Sequence, residues 1–327
     1  MPAIAISKTK LLSYLQCPRK LWLEQYSPEL EDEDAFDYAA IETGRVVGEM
    51  ARRVYGPGHL VKQNRGLRSA VAETEALLAA GGSEPIFEAT FDYDGVTVQV
   101  DVLDRREGLR IVEVKSSTSV KEQFAEDCAI QAWAMQALEL PPTGIGLALI
   151  DSDFEYRGDD DYSGLFKEVD LTAELEPLIA AMPETVAAAR ATLDSLDEPE
   201  REIGPHCTKP HRCQFFEHCA PAQGDYPVLG LGGSKERLYA WMREGYKDLR
   251  DVPEAELTNE QQQRIQQQTA SGKPYLDDEL KRAVTELPYP RYFVDFETIG
   301  FAIPIWPGTR PYEALPFQWS CHVDSGE

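Results

Sequence analysis

Two carboxylates and a lysine lie close together in the sequence VQVDVLDRREGLRIVEVK. Asp101 is on one apolar segment, and Glu113 and Lys115 are on the next. Valine at every second position from 96 to 102 predicts a strand with one apolar face, Val102 included. The polar run that follows is typical of a turn. A hairpin centred on Glu107 places Asp101 opposite Glu113, with β-carbons about 4.5–5.5 Å apart, and Lys115 shares the face of Glu113 because it is two residues away.

This arrangement suits a divalent cation. Two carboxylates at such a separation repel each other unless a cation lies between them. A hard ion such as Mg²⁺ binds one or two protein carboxylates and fills its other positions with water or phosphate oxygens. Asp101 and Glu113 are therefore candidate metal ligands. A surface hairpin with cross-strand charges and no metal is the alternative that the residues leave open.

A helix is expected next, over residues 121–140, because the segment is rich in alanine and ends at two prolines. One stripe of this helix would consist of Phe124, Cys128, Gln131, Met135 and Leu138. A buried amide needs a partner, since leaving it unpaired costs about 1–3 kcal/mol, and the polar groups of the preceding strands could supply one for Gln131. If the buried stripe is instead Ile130, Trp133, Ala134 and Ala137, Gln131 is solvated.

The order strand with Asp, turn, strand with Glu-x-Lys, helix with Gln resembles the nuclease core of the PD-(D/E)XK superfamily. The resemblance is to its RecB-like branch and covers residues 40–150. It implies an α/β fold, with a restriction-endonuclease-like mixed sheet flanked by helices, and hydrolysis of DNA phosphodiester bonds. It assigns Asp101, Glu113 and the Val114 carbonyl to Mg²⁺ or Mn²⁺. It also assigns Lys115 to the attacking water or the developing charge, and Gln131 to the orientation of Lys115 or of the DNA backbone.

Two further positions follow from this resemblance. The RecB-like branch usually has a tyrosine four residues after the glutamine, whereas this chain has Met135. The branch also carries an acidic or histidine ligand on an upstream helix, and residues 42–50 resemble that region. Glu49 is the preferred candidate for this extra metal ligand, and Glu42 is its competitor.

The six cysteines divide into two groups. Cys128 and Cys321 lie in apolar segments and are expected to be small buried side chains. Three others recur at six-residue intervals in a segment rich in proline and histidine, and Cys17 precedes a proline suited to the first position of a helix. One early and three late cysteines resemble the iron–sulfur branch of the RecB-like nucleases. This resemblance implies a structural [4Fe–4S] cluster held by Cys17, Cys207, Cys213 and Cys219.

Other chemistry remains open for these thiols. Zinc would accept the same thiolates, with the histidines at 206, 211 and 218 as substitutes. Disulfides would need an oxidising compartment, and no signal peptide is visible, so a cytoplasmic location is expected.

Composition limits the function classes. Hydrophobic residues make up 43% of the 327 positions, enough for a substantial core. No apolar run is long enough to span a membrane, so no membrane partner is expected. DNA, single-stranded or with duplex ends, is the partner that the resemblance implies. The formal charge of −25 repels nucleic acid at long range, which favours the alternative of a non-catalytic nucleic-acid-binding or assembly module.

The expected domains are an iron–sulfur nuclease domain over 1–225, a helical linker over 226–288 and a short C-terminal part over 289–327. In the last part, Asp295 and Glu297 lie on one face of an apolar strand. They resemble the first motif of DnaQ-like exonucleases of RNase H fold, whose carboxylates bind two metal ions. Because few residues follow Glu297, we expect a truncated domain, a partial strand pair, in which this motif is inactive. The combination of both domains resembles a bacterial family.

Overall fold

The computed structural model describes residues 5–32, 35, 37–257 and 259–327. These residues fall into two compact units. The first unit consists of the described parts of Met1–Pro28, Phe36–Pro199 and Gly300–Ala314. The second consists of those of Glu29–Ala35, Glu200–Ile299 and Leu315–Glu327. Residues 200–225 therefore group with the second unit, although the sequence predicts a boundary at 225.

The first unit is built on one mixed seven-stranded sheet. Its strands are β1 (Ile6–Ser7), β2 (His59–Leu60), β3 (Ile86–Tyr93), β4 (Val96–Asp104), β5 (Arg110–Lys115), β6 (Gly144–Ile150) and β7 (Phe166–Asp170). The spatial order is β2-β3-β4-β5-β6-β7, and β1 pairs with β4. Strands β3, β4 and β5 are antiparallel, whereas β6 is parallel to β5. The predicted mixed α/β class is confirmed.

Among the described residues, six α-helices belong to this unit: α1 (Lys8–Gln16), α2 (Pro18–Tyr26), α3 (Tyr38–Val54), α4 (Leu67–Ala79), α5 (Glu122–Ala137) and α6 (Glu176–Asp194). Helix α5 ends earlier than predicted, and Glu139, just beyond it, has a left-handed φ of 61°. Residues 127–135 of α5 are all buried. The central residues of both predicted stripes are thus in the interior, and a solvated Gln131 is excluded.

The hairpin that carries the two carboxylates has the predicted register. Val102 pairs with Val112, and Asp104 pairs with Arg110, so the hairpin is centred on Glu107. Within the described strands, the pairing of β4 with β5 ends at Val102. Strand β1 pairs with the start of β4, at Val96. The two central strands therefore separate at Asp101.

The predicted alternation along β4 is wrong at Val102. Val100 and Leu103 belong to the main core cluster, whereas Val102 packs in a separate cluster with Val112. The change coincides with Glu88 on the neighbouring strand, which has a left-handed φ of 57° and lies between the partners of Val100 and Val102. A left-handed residue interrupts the strand geometry that keeps side chains alternating. Asp101 therefore lies at an irregularity in the sheet.

The second unit contains α7 (Phe216–Cys219), α8 (Lys235–Arg243), α9 (Glu260–Ser271), α10 (Asp278–Glu286) and an antiparallel pair, β8 (Arg291–Ile299) and β9 (Leu315–Asp324). The described residues of 226–288 are mainly helical, as expected. They are more than a spacer, because Tyr239 and Trp241 are fully buried in a second hydrophobic cluster, separate from the main core. Cys321 is exposed, which corrects the expectation of burial. Its strand pairs with β8, and the described side chains of both strands are largely exposed.

No helix within the described ranges is both long and apolar enough to cross a membrane.

Candidate functional site

Asp101, Glu113 and Lys115 line one pocket of about 270 Å³, together with Val114. The pocket lies where β4 and β5 separate. Its other wall is α3, which contributes Gly44, Arg45, Gly48, Ala51 and Arg52. A β-carbon built on Gly44 or Gly48 would meet nothing within 4 Å. The small residues of α3 therefore leave open space in front of the carboxylates.

Asp101 is held by the main chain of the neighbouring strand. The N–H of Val114 donates to Oδ2 of Asp101 at 2.8 Å. This bond from the main chain to a side chain replaces the main-chain bond that would continue the pairing of β4 with β5 beyond Val102. Burial raises the pKa of Asp101, while the ammonium groups of Lys8 and Lys115 act in the opposite direction.

Glu113 is almost fully buried, with 2% of its surface exposed. Its Oε1 accepts from Lys115 at 2.6 Å and from Lys8 at 3.4 Å. Its Oε2 accepts from Gln131 at 2.6 Å. Burial, followed by the charges of Asp101 and Asp127, raises the pKa of Glu113 to about 7. This carboxylate is therefore easier to protonate than an exposed glutamate.

Lys115 is fixed by two carboxylates. Its ammonium lies 2.6 Å from Glu113 and 2.5 Å from Oδ2 of Asp127. The ring of Phe124 is 5.4 Å away, a distance at which a cation and a ring attract. Burial works to lower the pKa of Lys115, but the charges of Glu113 and Asp127 outweigh it and raise the pKa above its ordinary value. Lys115 therefore stays positively charged.

Gln131 has the partner that its burial demands. Its Nε2 donates to Glu113 at 2.6 Å and to Oδ1 of Asp127 at 2.9 Å. Its Oε1 is buried and has no hydrogen-bond partner among the described residues. The predicted contact between Gln131 and the polar groups of the strands is confirmed.

Two charged residues belong to this network through contacts that the sequence does not predict. Asp127 lies four residues before Gln131, so the two share a helix face, and this spacing could have identified it. Lys8 lies far away in the sequence and donates to Oδ1 of Asp127 at 2.8 Å. Burial lowers the pKa of Lys8, but Glu113 and Asp127 raise it further, above its ordinary value. No local pattern around Lys8 indicates this contact.

The extra acidic ligand remains a prediction. Glu49 forms an ion pair with Arg45 and is half exposed, and Glu42 bonds the same guanidinium at 2.6 Å. The described pocket wall includes neither of them; it includes Glu88, whose nearest cation is Arg52 at 3.4 Å. Burial raises the pKa of Glu88. The left-handed turn at Glu88 brings this acid, rather than Glu49, to the pocket.

Met135 is fully buried in the main core. The position of the expected tyrosine is therefore occupied by an apolar side chain that packs in the interior.

The chain also matches one family model, over its C-terminal end. The model is described as a domain of unknown function, DUF2779. It covers residues 292–327. A search of curated proteins gives no match. The matched segment spans β8 and β9 and lies outside the residues that line the pocket.

Asp295 and Glu297 lie within this match. They pair with Ser320 and Gln318 across the two-stranded sheet, and both are exposed. The N–H of Phe296 donates to Oδ1 of Asp295 at 3.0 Å. The expectation that this motif is inactive stays a prediction.

The donor set of the pocket fits a small hard cation. In the described ranges, no group of three or more His, Cys, Asp or Glu side chains is arranged to hold a metal ion. Mg²⁺ needs fewer, because it is usually bound by one or two carboxylates and keeps water or phosphate oxygens in its other positions. Asp101 and Glu113, which face one pocket, match this requirement.

The cysteines predicted to bind a cluster are placed in different elements. Cys17, in the first unit, is buried at the start of α2. In the second unit, Cys207 and Cys213 are buried, and Cys219 ends α7. The N–H of Cys213 donates to the carbonyl of Cys207 at 2.8 Å, which fixes the turn between them. The iron–sulfur assignment stays a prediction.

Proposed function

We propose that the first unit is a metal-dependent DNA nuclease similar to the RecB-like PD-(D/E)XK enzymes. The observation that supports this most is the meeting of Asp101, Glu113 and Lys115 at one pocket, with Gln131 bonded to Glu113 behind it. A surface hairpin without function would have no reason to bury Glu113 and Asp127 beside Asp101 and two lysines, because each buried charge is costly unless paired. Single-stranded DNA or a duplex end is the proposed substrate, acted on as an exonuclease in the cytoplasm.

Each residue has a role in this proposal. Asp101, Glu113 and the carbonyl of Val114 would hold Mg²⁺ or Mn²⁺. When bound, the ion would supply Lewis-acid polarisation of the phosphodiester. The fixed charge of Lys115 would stabilise the negative charge that develops on the phosphate oxygens. Gln131 would orient Glu113 through the bond from its Nε2.

A structural [4Fe–4S] cluster is part of the same proposal. Its ligands would be Cys17, Cys207, Cys213 and Cys219, an all-thiolate set suited to such clusters. Iron and acid-labile sulfide measured in anaerobically purified protein test it, and both are expected to fall in Cys213→Ser. Cys321→Ser is the matched control, because Cys321 is exposed on β9. A colourless protein that contains stoichiometric zinc would show that these residues form a zinc site and not an iron–sulfur cluster.

A second candidate is a non-catalytic nucleic-acid-binding or assembly module. It is favoured by the engagement of both oxygens of Glu113 with Lys115, Lys8 and Gln131. A carboxylate already satisfied by protein cations has less to gain from a metal ion. The formal charge of −25 also disfavours a surface that attracts DNA.

Cleavage of end-labelled DNA separates the two. Single-stranded and duplex DNA are incubated with anaerobically purified protein and Mn²⁺. The wild type is expected to degrade the label and Asp101→Ala to lose this activity. Asp153→Ala is the control, because Asp153 is an exposed carboxylate away from the pocket wall. DNA left equally intact by wild type and Asp101→Ala would mean that the nuclease proposal is wrong.

A further inference from the structure

Asp127 and Lys8 lie behind the pocket and do not line it, yet both are bonded to the residues that do. Asp127 is 4% exposed. Its Oδ2 is 2.5 Å from the ammonium of Lys115, and its Oδ1 accepts from Lys8 at 2.8 Å and from Gln131 at 2.9 Å. Each oxygen of this carboxylate therefore accepts a hydrogen bond from a group of the site.

The bond to Asp127 determines where the Lys115 ammonium lies. A lysine side chain is a flexible four-carbon stem with a point charge at its end. Lys115 is joined to Glu113 on its own strand and to Asp127 on α5. Without Asp127, Glu113 alone would hold the ammonium, and the stem could turn about that one contact. The second anchor, on a different element, fixes it in place.

Lys8 balances the charge of this anchor. Three carboxylates, Asp101, Glu113 and Asp127, lie close to the ammonium groups of Lys115 and Lys8. A buried carboxylate without a cation is strongly destabilising. Lys8 directly follows β1 and is the first residue of α1. The pairing of β1 with the start of β4 and the cap that Ser7 forms on α1 fix its position. Its ammonium also lies 3.4 Å from the carbonyl of Gln99.

We propose that Asp127 and Lys8 are positioning residues of this site: Asp127 fixes the ammonium of Lys115 at the pocket, and Lys8 supplies the positive charge that balances the buried carboxylate of Asp127. This inference rests on the proposed nuclease activity for its functional meaning. Neither residue lines the pocket of Asp101 and Glu113. Substitutions of Asp127 and Lys8 should have different consequences, since Asp127 sets the position of Lys115 and Lys8 balances charge.

Paired substitutions separate positioning from stability. Asp127→Asn keeps the shape and loses the charge, and we expect kcat to fall about 10–100-fold with little change in KM, as for other residues that orient a ligand. Asp127→Asn should lower the unfolding temperature because Lys115 and Lys8 each lose an ion-pair partner, and Lys8→Met should lower it because the buried carboxylate of Asp127 loses a cation. The double variant removes one charge of each sign, so it should regain most of the stability but not kcat. Glu126→Gln and Lys10→Met are the controls on the same two helices.

Two outcomes would overturn the inference. If the double variant cleaves DNA like the wild type, Asp127 and Lys8 only neutralise each other. If Asp127→Asn alone keeps wild-type kcat, Lys115 needs no second anchor. Asp127→Glu, which keeps the charge on a longer stem, is expected to restore part of the activity.

A measurement that does not need cleavage keeps the test independent of the proposed function. The rate of reductive methylation at Lys115 is followed by peptide mass spectrometry in folded protein. We expect it to increase in Asp127→Asn and to stay unchanged in Glu126→Gln, because only the first frees the ammonium. Equal rates would refute the positioning role whether or not the protein cleaves DNA. A wild type that cleaves no DNA, with the rate increased in Asp127→Asn, would instead refute the nuclease proposal alone.

Discussion

The ionisation of Glu113 should make the metal-free protein less stable as the pH rises. Its pKa is raised from an ordinary value of 4.5 to about 7, first by burial and then by the charges of Asp101 and Asp127. The folded state therefore binds this proton more tightly than the unfolded state does. Stability linked to Glu113 is fully present below about pH 4.5 and is lost as the pH rises to about 7.

The magnitude follows from the two pKa values. They differ by about 2.5 pH units, and each unit corresponds to about 1.4 kcal/mol. The free energy of unfolding should therefore fall by about 3 kcal/mol between pH 4.5 and pH 8 on account of this residue. Glu113 is 2% exposed, so solvent does not screen the effect.

Glu113→Gln is the perturbation that isolates this residue, because glutamine resembles the protonated acid in shape and charge. Urea unfolding is measured in EDTA from pH 5 to pH 8, by tryptophan fluorescence and circular dichroism, with coincident transitions required. We expect the wild type and the variant to be similarly stable near pH 5. At pH 8 the variant should be more stable by about 3 kcal/mol. Glu184→Gln, which replaces an exposed carboxylate on α6, is the control and should follow the wild type.

Parallel pH profiles of wild type and Glu113→Gln would refute this reasoning. So would a variant that is less stable than the wild type at pH 8, since Glu113 would then stabilise the fold in its charged form. In that case the effect of Lys115 and Lys8 on the pKa of Glu113 would outweigh the effect of burial. The carboxylate would then be a structural ion-pair partner and not a group available to a metal ion.

Four further outcomes are expected. Mn²⁺ binding measured by calorimetry should strengthen as the pH rises towards about 7, because the ion competes with the proton on Glu113. Gly48→Leu should keep or slightly raise the unfolding temperature, because glycine is a poor helix former and a β-carbon there meets nothing within 4 Å, but it should reduce DNA cleavage by filling space at the pocket wall. Gln131→Met should cost about 2–4 kcal/mol in urea unfolding, because two hydrogen bonds to charged groups are lost. Met135→Tyr should cost about 1–3 kcal/mol by overpacking in the same assay and should not increase cleavage, because the position is fully buried.

The hairpin and its register could be predicted because both depend on local information. Alternating valines and a turn centred on Glu107 are sufficient to place Asp101 and Glu113 on adjacent strands. The burial of Gln131 could also be predicted, since an amide within an apolar stripe indicates a buried partner. The irregularity at Glu88 could not, because it depends on a backbone conformation that glutamate rarely adopts and that no sequence pattern marks.

The contacts of Lys8 could not be predicted from the sequence, because they depend on the fold. Its contacts to Asp127 and Glu113 join positions more than a hundred residues apart in the chain, and they exist because β1 is added in parallel to the start of β4. Where β4 and β5 separate, the sheet opens a gap that main-chain bonds do not fill. Charged side chains fill it instead: Asp101, Glu113 and Lys115 face the pocket, and Asp127 and Lys8 lie behind them. The convergence of two carboxylates at one pocket is the physical reason why this site, rather than the acidic surface as a whole, would bind a cation.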